Sequence, residues 1–327
     1  MDNSSEEQKA ASKALWDALG WFDESSFATR EEKVYHYTTP EGLIGILKSD
    51  GIQLWFSKSD CLNDKVEGRF IYRLFHQKMF EMKEYGDITD EFYQKFNDGY
   101  SNDSDIFDFV TDIPRTIDIN ELSTRTLPPD PHYFICCFSK NQDSLPMWNY
   151  YTKGMNNRGY SIGLLTSELK SSIQKRSKFD MRLRNVIYDK DEQDKYIERL
   201  ILQAYINCKI LGERYTRDIF KFYLDEWRLN FKPECFAHEE EIRMIFSTRV
   251  TRTPNNDTSN TYEQKFRNNS GYVIPYFEHF IDKDALTSVT TGPLLDGESS
   301  QNGIAYLLHC RGYKGISLRT SKVPVRY

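Results

Sequence analysis

Residues 34–57 pack a strand, a capped helix and a second strand into about 24 positions, and this tight unit constrains the fold more than any other stretch. Val34-Tyr35-His36-Tyr37-Thr38 is a β-branched and aromatic run, which predicts a strand. Thr39 can cap the following helix, Pro40 suits its first turn, and Leu43, Ile46 and Leu47 supply an apolar stripe. Gly51 stands where helices end, and 53–57 reads as a short strand. About two hundred residues later comes a second charged strand, Glu239-Glu240-Glu241-Ile242-Arg243-Met244-Ile245-Phe246. Alternation places Glu239, Glu241 and Arg243 on one face and Ile242, Met244 and Phe246 on the other. A structural ion pair and an acidic arm beside a ligand both fit that pattern.

The rest of the chain extends this α+β pattern. Residues 1–33 read as an N-terminal helical extension with an amphipathic piece around Ala14, Leu15, Ala18, Leu19 and Phe22. A single domain is expected over 34–327. Within it, a helical stretch surrounds Phe70, Leu74, Phe75 and Met79, and 83–130 is an acidic insertion rich in Asn, Asp, Ser and Gly. Strands are expected at 133–139, 159–165, 182–188, 241–247, 272–277 and 286–291. A helical block over 191–231 breaks near Gly212, a helix follows at about 298–310, and 315–327 begins as a strand. There is no βαβ rhythm, so antiparallel pairing is favoured.

Composition narrows the classes of function. The net charge of −6 and pI near 5.7 argue against a broad nucleic-acid-coating surface, while a local basic groove stays compatible. The cysteines, Cys61, Cys136, Cys137, Cys208, Cys235 and Cys310, form no CxxC pair and read as reduced thiols. The first residues lack the apolar core of a signal peptide, and no run approaches the ~20 apolar residues of a membrane span. A soluble cytoplasmic protein is expected. Phosphate-cradling glycine motifs, HExxH and GxSxG are all missing, which weakens kinase, dehydrogenase and common hydrolase readings.

The residues able to carry chemistry are few. His36 is either a strand histidine satisfied by backbone or a neighbouring tyrosine, or an imidazole bonding a ligand hydroxyl, with Thr38 supplying a second contact. Trp148, Tyr150 and Tyr151 follow a polar turn and are either core or a stacking platform. Asn63, Asp64 and Glu67 read first as a helix cap. With Asp60 they offer oxygen ligands but no histidine or cysteine at metal-ligand spacing, so no metal is expected.

Tyr35-His36-Tyr37-Thr38 with Gly42-Leu43-Ile44-Gly45-Ile46-Leu47 resembles the opening of the bacterial domain-of-unknown-function family 2971. The resemblance continues through Leu62-Asn63-Asp64 with Glu67-Gly68, and through Phe138-Ser139 with Asp143-Ser144-Leu145 and Met147-Trp148. It recurs at 159–164, in His238-Glu239 with Glu241 and Arg243, and in Ser321-Lys322-Val323-Pro324 with Arg326. It spans roughly 34–327. That family is in turn similar in layout to ADP-ribosyltransferases of the histidine–tyrosine–glutamate type, although Trp55-Phe56-Ser57 stands where a tyrosine would end the second strand.

The resemblance implies an ADP-ribosyltransferase-like split β-sandwich of mostly antiparallel strands with surrounding helices and a helical insertion. It also implies NAD as co-substrate, without a metal. His36 would hold ribose hydroxyls, Glu241 would stabilise the charge on the ribose as nicotinamide leaves, and Tyr150 would stack on nicotinamide in preference to Tyr151 or Trp148. Thr38, Ser57, Asn63, Trp148, Tyr151, Glu239 and Arg243 would surround the substrate, with Glu239 orienting the acceptor. The acceptor would be a macromolecule, protein or nucleic acid, as in a toxin or phage-defence effector. An NAD glycohydrolase, a non-catalytic nucleotide sensor and a metal-dependent nuclease built on Asp60, Asp64 and Glu67 are the alternatives.

Overall fold

The structure is a computed structural model that describes residues 6–19, 32–61, 67–97, 132–152, 158–176, 181–248, 264–269 and 271–324. In chain order its elements begin with α1 (Glu6–Leu19), β1 (Lys33–Thr38), α2 (Pro40–Ile46), β2 (Ile52–Lys58), α3 (Glu67–Tyr85) and α4 (Asp90–Asn97). They continue with β3 (His132–Ser139), α5 (Leu145–Thr152), β4 (Tyr160–Leu165), α6 (Thr166–Arg176), β5 (Met181–Asn185), α7 (Lys190–Leu211) and α8 (Glu213–Trp227). A 3-10 turn over Glu234–Glu239 leads to β6 (Glu241–Thr248), β7 (Lys265–Asn269), β8 (Tyr272–Ile281), β9 (Leu286–Thr291), α9 (Gly297–Cys310) and β10 (Ser317–Thr320).

These elements form two compact units, each assembled from separate stretches of chain. One is helical and contains α1, α3, α4, α7 and α8. Its core stacks Phe75, Phe92, Phe96, Phe220 and Trp227, with Phe75 and Phe220 edge to face at 5.0 Å between centroids. The expected break in the helical block falls at Gly212, whose φ of 84° is a left-handed value that glycine adopts without steric cost. Asp189 caps α7 by accepting from the Glu192 N–H at 2.8 Å. The terminal helix α1, expected as a peripheral extension, buries Leu15 within this same core. Of the expected insertion over 83–130, the described part comprises the end of α3, a turn at Gly86 and α4; the remainder lies outside the described residues.

The second unit holds the sheet. Its strands run in the order β10-β9-β4-β1-β3-β2-β8-β7, with β6 on β3 and β5 on β6. The β9–β10 pair is parallel, and the other ladders are antiparallel, as the sequence pattern predicts. The expected strand–helix–strand unit is present: Thr39 Oγ1 accepts from the Gly42 N–H at 3.1 Å, opening α2. One face of the sheet carries Val34, Phe56, Phe134, Phe138, Ile162, Ile242, Met244 and Phe246 into an apolar core closed by Leu43, Leu169, Ile304 and Leu308.

The central strand β3 is where the sheet forks. Along one edge it pairs with β6 over its full length, from His132 opposite Thr248 to Ser139 opposite Glu241. Along the other edge it pairs with β2 at Phe134 and Ile135, and with β1 only at Ser139. Residues 136–138 therefore face the gap where β1 and β2 diverge.

Candidate functional site at the fork of the sheet

Directly opposed residues on neighbouring strands project to the same face. Tyr35 opposes Ser139, and Ser139 opposes Glu241, so these three form one row. With neighbouring strands ~4.8 Å apart, the Tyr35 and Glu241 backbones are about 10 Å apart. Cys137 opposes Arg243, and Arg243 opposes Arg184, which adds both arginines and the thiol to the same face. Ser57 opposes Ile135 and Tyr276, so β2 and β8 contribute Ser57, Trp55 and Tyr276 to it as well. The expected division of β6 is thus observed for Glu241 and Arg243 against Ile242, Met244 and Phe246. Glu239 precedes the strand, at the end of the 3-10 turn.

His36 is one residue from Tyr35 and so points to the other side of β1. Its ring lies edge-on to Phe138 at 5.8 Å, and its Nδ1 is 3.0 Å from the Cys137 carbonyl oxygen. His36 and Glu241 flank β3 from opposite faces, and a ligand touching both must straddle residues 136–138. The ring thereby bonds a backbone carbonyl of β3 beside the fork. Because that partner only accepts, Nδ1 carries the proton and Nε2 of the neutral ring is left as an acceptor. Burial pulls the imidazole below its ordinary range; the Cys137 bond opposes this, and the positive charge of Arg267 adds to it.

The sign of the consequence follows from linkage. The unfolded chain takes a proton on this ring near pH 6.5, and the folded chain takes one only at lower pH. Stability is therefore fully present above pH 6.5 and falls on acidification, until the folded ring also protonates. His36→Gln should flatten the loss of stability between pH 7 and 5 measured by urea unfolding; an unchanged slope would contradict the buried neutral ring.

Glu241 and Arg243 form a bidentate ion pair, with Arg243 Nε donating to Oε1 at 2.9 Å and Nη2 donating to Oε2 at 2.8 Å. Both are nearly inaccessible, at 4% and 2% exposure. Desolvation of its hydroxyl end, followed by Cys137, Glu241 and Glu239, pushes the Tyr151 hydroxyl above its ordinary range, while the residue as a whole is 40% exposed. Burial, followed by Glu241, raises the Cys137 thiol; burial pushes Cys136 up to about 12. Neither thiol is the thiolate that nucleophilic chemistry requires.

The backbone between the two acidic residues is unusual. Glu240 has φ of 46°, a left-handed conformation that costs a residue with a Cβ roughly 1–2 kcal/mol. Ser139 Oγ donates to the Glu239 carbonyl at 2.7 Å, and the Lys140 N–H donates to the Glu240 carbonyl at 2.9 Å. These bonds from β3 hold the kink between Glu239 and Glu241.

The aromatic positions separate clearly. Trp148 is wholly buried, packed edge-to-face on Tyr37 at 4.7 Å, so its ring offers no surface for a ligand. Its Nε1 donates to Asp143 Oδ1 at 2.8 Å. Ser321 Oγ donates to the same oxygen at 2.6 Å, and the Lys322 N–H donates to Asp143 Oδ2 at 2.7 Å. Asp143 is thereby the clamp that ties α5 to the segment after β10. Tyr150, chosen from the sequence as the stacking ring, is 55% exposed, with its hydroxyl 2.9 Å from His238 Nε2. Tyr151 is also exposed, at 40%, with its hydroxyl close enough to Glu241 and Glu239 to feel their charge. Thr38 ends β1 opposite Tyr160, and Ser57, buried, accepts from Arg267 Nη2 at 2.9 Å. Asn63 and Asp64 lie outside the described residues, as do the side chains of Asp60 and Glu67. Among the described residues no group of His, Cys, Asp and Glu side chains is arranged to hold a metal ion, and no helix is long and apolar enough to cross a membrane.

The sequence reading did not place Asp143, Cys137, Arg184 or Arg267 in a site. Arg184 had a signal: it is a charge inside the alternating run predicted as a strand at 182–188, and it lies buried opposite Arg243. Arg267 had none, because its strand pairing alone brings it to Ser57. Comparison with curated proteins gives no match, and comparison with solved structures gives none either. The match that is found covers residues 147–244, the stretch carrying Tyr151, Arg184, Glu239, Glu241 and Arg243, and it is to the family described as "Protein of unknown function (DUF2971)".

Proposed function

We propose that this protein cleaves the nicotinamide–ribose bond of NAD and transfers ADP-ribose to a macromolecular acceptor, on an ADP-ribosyltransferase-like fold. The observation that carries the reading is that the histidine strand and the glutamate strand flank one central strand, with Tyr35, Ser139 and Glu241 in a single row and a fork beside them. His36 Nε2 would accept from a ribose hydroxyl. The Glu241 carboxylate would face the positive charge that develops on the ribose as nicotinamide departs with the bonding electron pair. The acceptor's nucleophile then bonds to that carbon and loses its proton. Tyr151, rather than Tyr150, supplies the ring beside the reacting sugar.

Glu241→Gln keeps the shape of the side chain and removes its charge. Nicotinamide release should fall on the order of 10²–10³-fold, as on removal of one electrostatic stabiliser, in a variant whose circular dichroism matches wild type. Near wild-type turnover in that variant would remove Glu241 from the chemistry. The observation favouring a second reading, a nucleotide-binding protein without turnover, is the bidentate grip of Arg243 on Glu241. On that reading NAD raises the melting temperature and is recovered intact.

A further inference from the structure

Among the described residues, Arg267 is an arginine without a carboxylate partner. It lies on β7 opposite Ile274, and therefore on the face shared by Tyr276, Ser57 and Trp55. Its Nη2 donates to Ser57 Oγ at 2.9 Å, while its Nε is shielded from water and has no partner among the described residues. The nearby Glu278 is taken by Lys265 at 2.6 Å. The guanidinium sits 5.7 Å from the centre of the Trp55 ring, which is 42% exposed and leans on Tyr276 at 4.6 Å and 34°. Desolvation lowers the Arg267 pKa, opposed by Tyr276 and Cys136, and among the described residues no carboxylate is paired with it.

A partly desolvated, forked cation beside an exposed indole matches the chemistry of a phosphate joined to a planar base. We propose that Arg267 and Ser57 form an anion subsite for the phosphate of a nucleotide ligand, with Trp55 stacking on its base. This deepens the NAD reading above and rests on it for the identity of the ligand. Ser57 holds one arm of the guanidinium, so the fork is oriented before the ligand arrives.

Isothermal titration with ADP, inorganic pyrophosphate and nicotinamide riboside tests the subsite on the full chain. Wild type should bind ADP and pyrophosphate. Arg267→Gln should weaken ADP about 10- to 100-fold, the loss expected for a charge-assisted contact, and leave nicotinamide riboside unchanged. Arg267→Lys keeps the charge without the fork and should fall between the two, and Trp55→Leu should weaken ADP but not pyrophosphate. ADP affinity within twofold of wild type in both Arg267 variants, or no ADP binding by wild type, would overturn the subsite. The two proposals fail separately: ADP binding that depends on Arg267 without nicotinamide release sinks only the transferase reading, whereas NAD turnover with unchanged KM in Arg267→Gln sinks only the subsite.

Discussion

Arg243→Met should destabilise the sheet unit by about 3–5 kcal/mol, because it strands the Glu241 carboxylate in a buried site. Both partners are almost fully inaccessible, so water cannot replace the two lost hydrogen bonds. The double replacement Glu241→Leu with Arg243→Met should recover much of that loss, since removing both charges also removes the desolvation cost. A double-mutant cycle by urea unfolding gives the coupling directly. A loss below about 1 kcal/mol in the single variant would show that the pair does not carry a buried charge.

Asp143→Ala should cost about 3 kcal/mol, since it deletes a charged acceptor of three hydrogen bonds, one of them from a buried indole. The Lys322 N–H is exposed and regains water, whereas Trp148 Nε1 cannot. The expected signature goes beyond stability. The near-ultraviolet circular dichroism of Trp148 should weaken, and a protease should cut near 321–324 faster than in wild type. Asp143→Asn keeps one acceptor oxygen and should lose roughly half as much. Wild-type protease resistance in Asp143→Ala would mean that the C-terminal segment is held by other contacts.

Local signals in the sequence led to correct elements where one side chain decides the outcome. Thr39 and Pro40 open α2 because a cap and a fixed φ are properties of single residues, and Gly212 divides α7 from α8 through its left-handed φ. Gly51, expected to end α2, instead precedes β2, and the helix ends earlier, at Ile46 with Leu47 as its cap. The candidate site was less legible. Tyr150 and Tyr151 are equivalent as members of an aromatic cluster, and on the helix both lie outside the buried side formed by Met147, Trp148 and Thr152. The opposite faces of His36 and Glu241 were not legible, because they depend on which residue of β3 each neighbouring strand opposes. That register is set by partners about one hundred residues away. The same holds for Arg267, which reaches Ser57 through two antiparallel ladders. The gathering of α1, α3, α4, α7 and α8 into one unit joins three separate stretches of chain, and no local composition marks that association.

The central claim is that the fork and the polar face beside it act on NAD. Its most direct test is to incubate purified wild-type protein with NAD in the presence of a metal chelator and to measure free nicotinamide by chromatography. The account predicts nicotinamide release above the protein-free rate, unaffected by the chelator. No release above that rate, from a protein that also shows no thermal shift with NAD, would contradict it.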